Sequence, residues 1–439
     1  VSDQHYRDTI YALSTIFGKS GVAVFRISGS SAHEIYKIFN LKNNFHHKKA
    51  VFTQIFDNKI LIDEVIIIYF KGPNSFTGEE VFEIHCHGSI AVIKYIKNKL
   101  NQVFRLAEPG EFTKRAFLNN KFDLTKAEGI VDLINAETEA QIKQTSRQLS
   151  GELRAEYDNL RNKIISVLAN IEAYIDFPDE EIHDDVIVEI SKSVQDILSL
   201  IETYLNDDNI GEKIRKGFHV TIVGKPNSGK STLFNYLAKR ELAIVTAIPG
   251  TTRDTLELKL DLDGYPVTVI DTAGIHETSD FIEQEGIKKA REAIKNSDII
   301  ILMVDINEID SIDINEFSCN GNIIYVGSKV DNNSKIIIKN GREFLPISVH
   351  KNYGLDLLKK KISNIISSQN RESYIITHER HRTALNNAKI YLERFHLKTN
   401  IELAAENLRI AANYIGSITG VIKLDDILDK LFSTFCIGK

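Results

Sequence analysis

Eight consecutive residues, Gly224-Lys225-Pro226-Asn227-Ser228-Gly229-Lys230-Ser231, have the types and spacing that hold a polyphosphate. They read G-x-x-x-x-G-K-S, in which the glycines let backbone N–H groups converge on phosphate oxygens. Lys230 would reach the β- and γ-phosphates, and the Ser231 hydroxyl would ligate Mg²⁺. Such a loop needs a strand before it and a helix behind it. Val220-Thr221-Ile222-Val223 reads as a buried strand, and Thr232-Leu233-Phe234-Asn235-Tyr236-Leu237 as the opening of a helix whose positive end adds to the anion site.

Further motifs follow in order. Pro249-Gly250-Thr251-Thr252 offers a threonine that closes over Mg²⁺ and the γ-phosphate. The strand Val267-Thr268-Val269-Ile270 ends in Asp271-Thr272-Ala273-Gly274, with the aspartate placed for the magnesium shell and the Gly274 N–H for the γ-phosphate. Asp298 to Asp305 is a strand apolar throughout its interior, as parallel sheets require. Ile323–Val326 leads into Gly327-Ser328-Lys329-Val330-Asp331, and Leu345-Pro346-Ile347 into Ser348-Val349, so both loops follow strand C-termini, where open α/β sheets bind ligands. The pattern predicts a Ras-like GTPase domain in which Asp331 reads the guanine N1 and N2 groups.

Two positions depart from that pattern. Ser328 stands where guanine-specific GTPases carry asparagine, with a shorter reach and fewer simultaneous donor and acceptor groups than an amide, which predicts weaker guanine binding. Ile275 stands where a Ras-type glutamine would orient water. Glu283, twelve residues after Asp271, is a candidate replacement, although composition alone favours reading it as an ordinary acid at a helix start, stabilised by the dipole. No arginine is placed to act as a finger.

These motifs sit inside a chain of 439 residues, a length that predicts about three domains. A net charge of −6 and a pI near 6.2 argue against wholesale wrapping around nucleic acid, while leaving local basic patches open. Three cysteines without a pairing pattern, no long apolar run and no targeting segment at the start predict a cytoplasmic protein.

Residues 1–121 read as an α+β domain, with strands at 21–28, 65–70 and 81–87 and helices at 32–39 and 90–100. Arg26 and Glu83 interrupt otherwise apolar strands, which marks either a ligand pocket or a mutual salt bridge. His85, Cys86 and His87 invite a metal reading, but alternation sends the two histidines to one face and Cys86 to the other.

Residues 122–215 read as helical. Apolar positions from Leu149 through Leu153, Tyr157, Leu160, Ile164, Leu168, Ile171 and Ile175 recur in steps of three and four, predicting one long helix ended by Asp176-Phe177-Pro178. A second helix is expected around 187–204, followed by a polar linker, Asn206-Asp207-Asp208-Asn209. The GTPase domain occupies 216–372, and 373–439 returns to helix. Helices on both sides of the insertion predict one discontinuous helical domain.

Several stretches carry a family resemblance. Pro73-Asn74-Ser75-Phe76-Thr77-Gly78-Glu79-Glu80, His87-Gly88, Pro109 to Asn119, Asp176 to Glu181, the nucleotide motifs and the terminal Phe435-Cys436-Ile437-Gly438-Lys439 resemble those of the tRNA uridine-modification GTPases, the MnmE or TrmE family. The resemblance covers essentially the whole chain. It implies an enzyme that works with an FAD-containing partner of the MnmG or GidA type in a heterotetramer. Together they add an aminomethyl-type group, such as carboxymethylaminomethyl, to C5 of the wobble uridine of certain tRNAs.

The one-carbon unit would come from 5,10-methylene- or 5-formyl-tetrahydrofolate, with folate contacts at Arg26, Glu83, Lys121 and Lys439, and Cys436 would be needed for modification. The N-terminal domain would form a homodimer. By the same resemblance the nucleotide contacts Asn227, Ser228, Gly229, Lys230, Ser231 and Thr232, the switch segment Thr246, Ala247, Ile248, Pro249, Gly250, Thr251 and Thr252, and Asp271, Thr272, Ala273 and Gly274. Ser328, Lys329, Asp331, Ser348 and Val349 would surround the base. Mg²⁺ falls to Ser231 and Thr252. K⁺ replaces an arginine finger, held by Asn227 and the backbone oxygens of Thr246, Ile248 and Thr251, and Glu283 orients the water. A switch GTPase of the Era or Der kind, acting on RNA or ribosomes without modifying them, is the rival reading; it lacks the N-terminal domain and the Cys-Ile-Gly-Lys tail, and folate binding separates the two.

Overall fold

The period-two alternation read in residues 81–87 becomes a strand in which Phe82, Ile84 and Cys86 are buried while Glu83, His85 and His87 keep access to solvent. The computed structural model describes residues 8–42, 44–176, 184–239, 256–271, 293–311, 322–330, 336–339, 341–369, 374–397, 400–421, 428, 431–433, 435, 436 and 438. These fall into two compact units, residues 1–131 with 415–439, and residues 132–414.

The first unit is built on a six-stranded sheet of β1 (Ile10–Leu13), β2 (Ser20–Ser28), β3 (Ala50–Asp57), β4 (Ile60–Phe70), β5 (Val81–Gly88) and β6 (Arg105–Leu106). Its order is β3-β4-β5-β2-β1-β6, antiparallel except for the β1–β6 pair. Phe25, Ile27, Ile67, Phe82 and Ile84 form one face and bury it with α1 (Ile35–Ile38) and α2 (Ile90–Leu100), through Ile35, Ile93, Ile96 and Leu100. The short strands β1 and β6, the eight-residue β3 and the helix α3 (Glu111–Leu118) have no counterpart in the sequence pattern.

Arg115 on α3 is the largest fully buried side chain. Its guanidinium donates to Asp8 Oδ1 (2.7 Å), the Asp8 carbonyl (2.7 Å), Glu111 Oε1 (2.9 Å) and Glu79 Oε1 (3.2 Å). Arg105 adds bonds to Asp8 and Glu111 at 2.6 Å each. Burial pushes the Glu111 carboxyl up, but the Arg105 bond, the Glu108 N–H and Arg115 outweigh it, so the net shift is downward; Asp8 moves the same way under Arg105 and Arg115. Carboxylates whose folded pKa lies below the unfolded value contribute stability that is present above the unfolded pKa and lost as pH falls through the folded one. The urea midpoint of this unit is therefore expected to hold from neutrality down to about pH 5 and to fall steeply below about pH 4. A midpoint that stays level into strong acid would remove the network from the stability of the fold.

In the second unit, the long helix predicted from Leu149 is present but begins at Glu152. α5 (Glu139–Ser150) follows α4 (Leu124–Ile134) and ends at Gly151, whose φ of 89° is left-handed and stops it; α6 (Glu152–Asp176) starts afresh. From Leu153 to Ile171 the predicted stripe is buried. α7 (Asp184–Leu205) and, beyond the nucleotide domain, α11 (Glu379–Glu393) pack together, so the helical domain is discontinuous as expected. The polar linker at 206–209 is anchored: Arg382 donates to Asp207 (2.7 Å), Glu212 (2.9 Å) and the Leu205 carbonyl (3.1 Å), ahead of α8 (Ile210–Lys216).

The inserted domain has a seven-stranded sheet. Its strands are β7 (Phe218–Val223), β8 (Leu256–Leu262), β9 (Tyr265–Asp271), β10 (Ile299–Asp305), β11 (Asn322–Ser328), β12 (Ile337–Lys339) and β13 (Arg342–Pro346), in the order β12-β13-β11-β10-β7-β9-β8. Only the β8–β9 and β12–β13 pairs are antiparallel. The buried apolar run of β10 sits next to β7, where successive connections leave in opposite directions and a ligand crevice opens at the strand C-termini. α9 (Lys230–Lys239) and α10 (Leu355–Gln369) bury Leu233, Leu237, Leu358 and Ile362 against the sheet. Among the described residues, no helix is long and apolar enough to cross a membrane.

Candidate functional site

The phosphate loop joins β7 to α9 across that crevice. Gly224 (φ 155°) lies so close to β10 that a Cβ there would fall 2.2 Å from the Met303 carbonyl. Asn227 takes a left-handed φ of 63° and is exposed, and Gly229 has φ 98°. The Lys230 ammonium is buried, donating to the Gly224 (2.8 Å) and Lys225 (2.9 Å) carbonyls. Burial lowers its pKa, and the buried Asp271 at the end of the neighbouring β9 opposes that shift. Ser231 and Thr232 are exposed on the first turn of α9, where helix N–H groups have no intrahelical partner. The donor set of Ser231 with Asp271 suits a hard divalent cation.

The base side is built from the ends of β11 and β13. Ser328 is buried, and Lys329 pairs with Asp305 at 2.9 Å. Ser348 is buried and bridged to Tyr353, and Val349 packs on the core. The sequence-predicted residues Asn227 to Gly229, Asp271, Ser328, Lys329, Ser348 and Val349 lie on strand C-termini of this one sheet or in the loops that follow them, and Lys230, Ser231 and Thr232 on the first turn of α9. Thr246 to Thr252, Thr272, Ala273, Gly274, Glu283, Asp331 and Lys439 lie outside the described residues.

A second constellation occupies the first unit. Register places Arg26 on β2 opposite Glu83 on β5, and the two form a salt bridge at 2.9 Å. The charges that marked these strands are thus paired with each other. His85 (3.3 Å) first, then Arg26, holds the Glu83 carboxyl below its ordinary range against the opposing effect of burial. The Arg26 guanidinium lies 5.5 Å from the Phe76 ring centroid and 5.8 Å from that of Phe112. Lys121 donates to the Pro73 carbonyl at 2.6 Å. The tail is docked beside them: Ser14 Oγ donates to the Gly438 carbonyl (3.1 Å), and the Gly110 N–H points to the Cys436 carbonyl (3.4 Å), with the Cys436 side chain exposed. The sequence reading had not singled out Phe76 and Phe112, although both stood in stretches it quoted.

The His-Cys-His trio does not converge. Cys86 is buried, donates to the Ala23 carbonyl and has its pKa pushed up to about 12 by burial, while His85 pairs with Glu83 and His87 with Asp63 at 2.6 Å.

A family model described as the MnmE helical domain matches residues 124–436, and one described as the N-terminus of the GTP-binding protein TrmE matches residues 9–121. The "tRNA modification GTPase MnmE" of Neorickettsia sennetsu is 44% identical, with 98% of this chain and 100% of that protein covered. This chain belongs to the MnmE family of tRNA modification GTPases. The MnmE of Rickettsia conorii is 48% identical over the same shares of both chains, 98% and 100%. Among solved structures, the G domain of the T. maritima FeoB iron transporter is 26% identical, covering 34% of this chain and 98% of that one, with a TM-score of 0.26, too partial a superposition to carry weight. As a member of the MnmE family the chain is a GTPase that binds GTP and Mg²⁺.

Proposed function

We propose that this chain is a K⁺-stimulated GTP hydrolase which, with an FAD-containing partner of the MnmG type, adds a carboxymethylaminomethyl-type group to C5 of the wobble uridine of certain tRNAs, using a tetrahydrofolate one-carbon unit. The observation that carries the reading is the meeting of three distant stretches in the first unit. The 73–80 loop brings Phe76, α3 brings Phe112, and the tail brings Cys436 and Gly438 to the sheet that holds Arg26 and Glu83. Arg26, Glu83, Lys121 and Lys439 would hold the folate, which supplies the one-carbon unit when bound. A paired guanidinium under two aromatic rings suits a flat, polar heterocycle bearing hydrogen-bonding edges.

The proposed division is 1–121 for folate binding and dimerisation, 122–215 and 373–439 for the helical domain, and 216–372 for the GTPase. Homodimerisation is supported by Phe52 and Phe56 on the edge strand β3 and Ile66 on the neighbouring β4, all three exposed. Assembly with the partner into a heterotetramer in the cytoplasm completes the reading.

In the GTPase site, Lys230 would neutralise the phosphates, Ser231 and Thr252 would hold Mg²⁺, and Glu283 would orient the attacking water. Asn227, with the Thr246, Ile248 and Thr251 carbonyls, would hold K⁺, which would supply positive charge to offset the negative charge that develops in hydrolysis. Replacing Na⁺ by K⁺ is expected to raise hydrolysis by about tenfold or more in the intact chain, and Asn227→Ala to erase that difference. Equal rates in the two salts would remove the role given to Asn227. The folate half is tested separately by titrating 5-formyl-tetrahydrofolate; an intact GTPase that ignores it would leave the chain a switch without the one-carbon chemistry.

A further inference from the structure

Ser328 stands at the end of β11, at the start of the loop that leads to Asp331. The position invites a base-reading role, but the side chain is occupied elsewhere. It is buried, and its hydroxyl lies 2.6 Å from the Ser228 carbonyl of the phosphate loop and 3.1 Å from the Val304 carbonyl at the end of β10. Gly229 turns its open face to the same side chain, so that a Cβ there would sit 4.0 Å from Ser328 Cβ. A hydroxyl has one proton to donate. The guanine edge left over once Asp331 has taken N1 and N2 offers N7 and O6, both acceptors. A side chain whose proton is held by a backbone carbonyl cannot read them.

We infer that Ser328 is a positioning residue for the phosphates: it ties the phosphate loop to the ends of β10 and β11, and base selectivity is set without it. The substitution of serine at this position therefore keeps a brace on the loop that leads from Ser228 into the first turn of α9, where Lys230 and Ser231 sit.

The test uses the full chain and compares GDP, inosine diphosphate and 7-deazaguanosine diphosphate on wild type, Ser328→Ala and Ser328→Thr. Ser328→Ala is expected to weaken GDP about tenfold, by stranding a buried carbonyl, while the penalties for the two altered bases stay as in wild type. Ser328→Thr, which keeps the hydroxyl, is expected to bind all three as wild type does. The inosine penalty, set by the 2-amino group, serves as the control. Shrinkage of the 7-deazaguanosine penalty in the alanine variant would make Ser328 a base reader and overturn the inference. So would unchanged GDP affinity in Ser328→Ala, or an equal loss in the alanine and threonine variants. If Ser328→Ala does not fold, Ser328→Cys, which keeps the volume but is a weak donor, takes its place with the same expectations.

Discussion

Lys230→Ala is expected to lower GTP hydrolysis at saturating nucleotide by about 10²–10³ while leaving 5-formyl-tetrahydrofolate affinity unchanged. The ammonium sits within the phosphate loop, held by the Gly224 and Lys225 carbonyls, and the charge of the buried Asp271 favours its protonated form. A cation fixed in a water-poor loop stabilises charge developing on the phosphates far more than the same charge in solvent. Alanine removes that charge and leaves two loop carbonyls without their donor. Single-turnover hydrolysis measures the first effect, and folate titration of the same preparation measures the second. If folate affinity falls together with hydrolysis, the variant has lost more than its phosphate site, and the assignment of separate roles to the two constellations fails. Hydrolysis close to wild type would show that Lys230 is not the phosphate cation.

Arg115→Ala is expected to destabilise the first unit by about 3 kcal/mol, because removing one partner of a buried ionic network leaves the others desolvated and uncompensated. Glu111 is buried with it, while Asp8 and Glu79 retain partial access to water, which keeps the cost at the lower end of the range. The side chain also ties α3 to the 73–80 loop, and so fixes the separation of Phe112 and Phe76 around Arg26. Folate affinity should fall with stability, and Arg115→Lys should recover only part of either, since an ammonium cannot reproduce the planar fork. The chain has no tryptophan, so urea unfolding is followed by circular dichroism. Adding GDP should raise only the transition of the nucleotide-binding unit, which identifies the transition that Arg115 controls. An unchanged midpoint in Arg115→Ala would mean that the network contributes nothing net.

The nucleotide site was legible because its parts are local. The loop, its strand and its helix are contiguous from Val220 to Leu237, and the glycines that permit its close approach to β10 are visible as letters. The same holds for the alternation of His85, Cys86 and His87, since a period of two fixes which face each side chain takes. The long helix read from Leu149 was legible too, but its start was not. Its apolar spacing runs on across Gly151, but periodicity does not record that one left-handed residue ends a helix and the next begins anew.

Ser328 shows the limit of reading a position by its motif. The letter says only that an amide is missing; the fold shows where the hydroxyl's proton goes. Arg26 and Glu83 lie 57 residues apart, and whether they face a ligand or each other depends on the β2–β5 register. Arg115 meets Asp8 across 107 residues, and the tail meets Ser14 across 424.

By itself the sequence determined the phosphate-loop chemistry, the alternation and the order of the domains, because these depend on neighbours along the chain. Tertiary structure alone decided the charge partners, the aromatic rings around Arg26 and the docking of the tail. Those contacts come from sheet register and helix packing between segments far apart in the chain, and no local spacing encodes them.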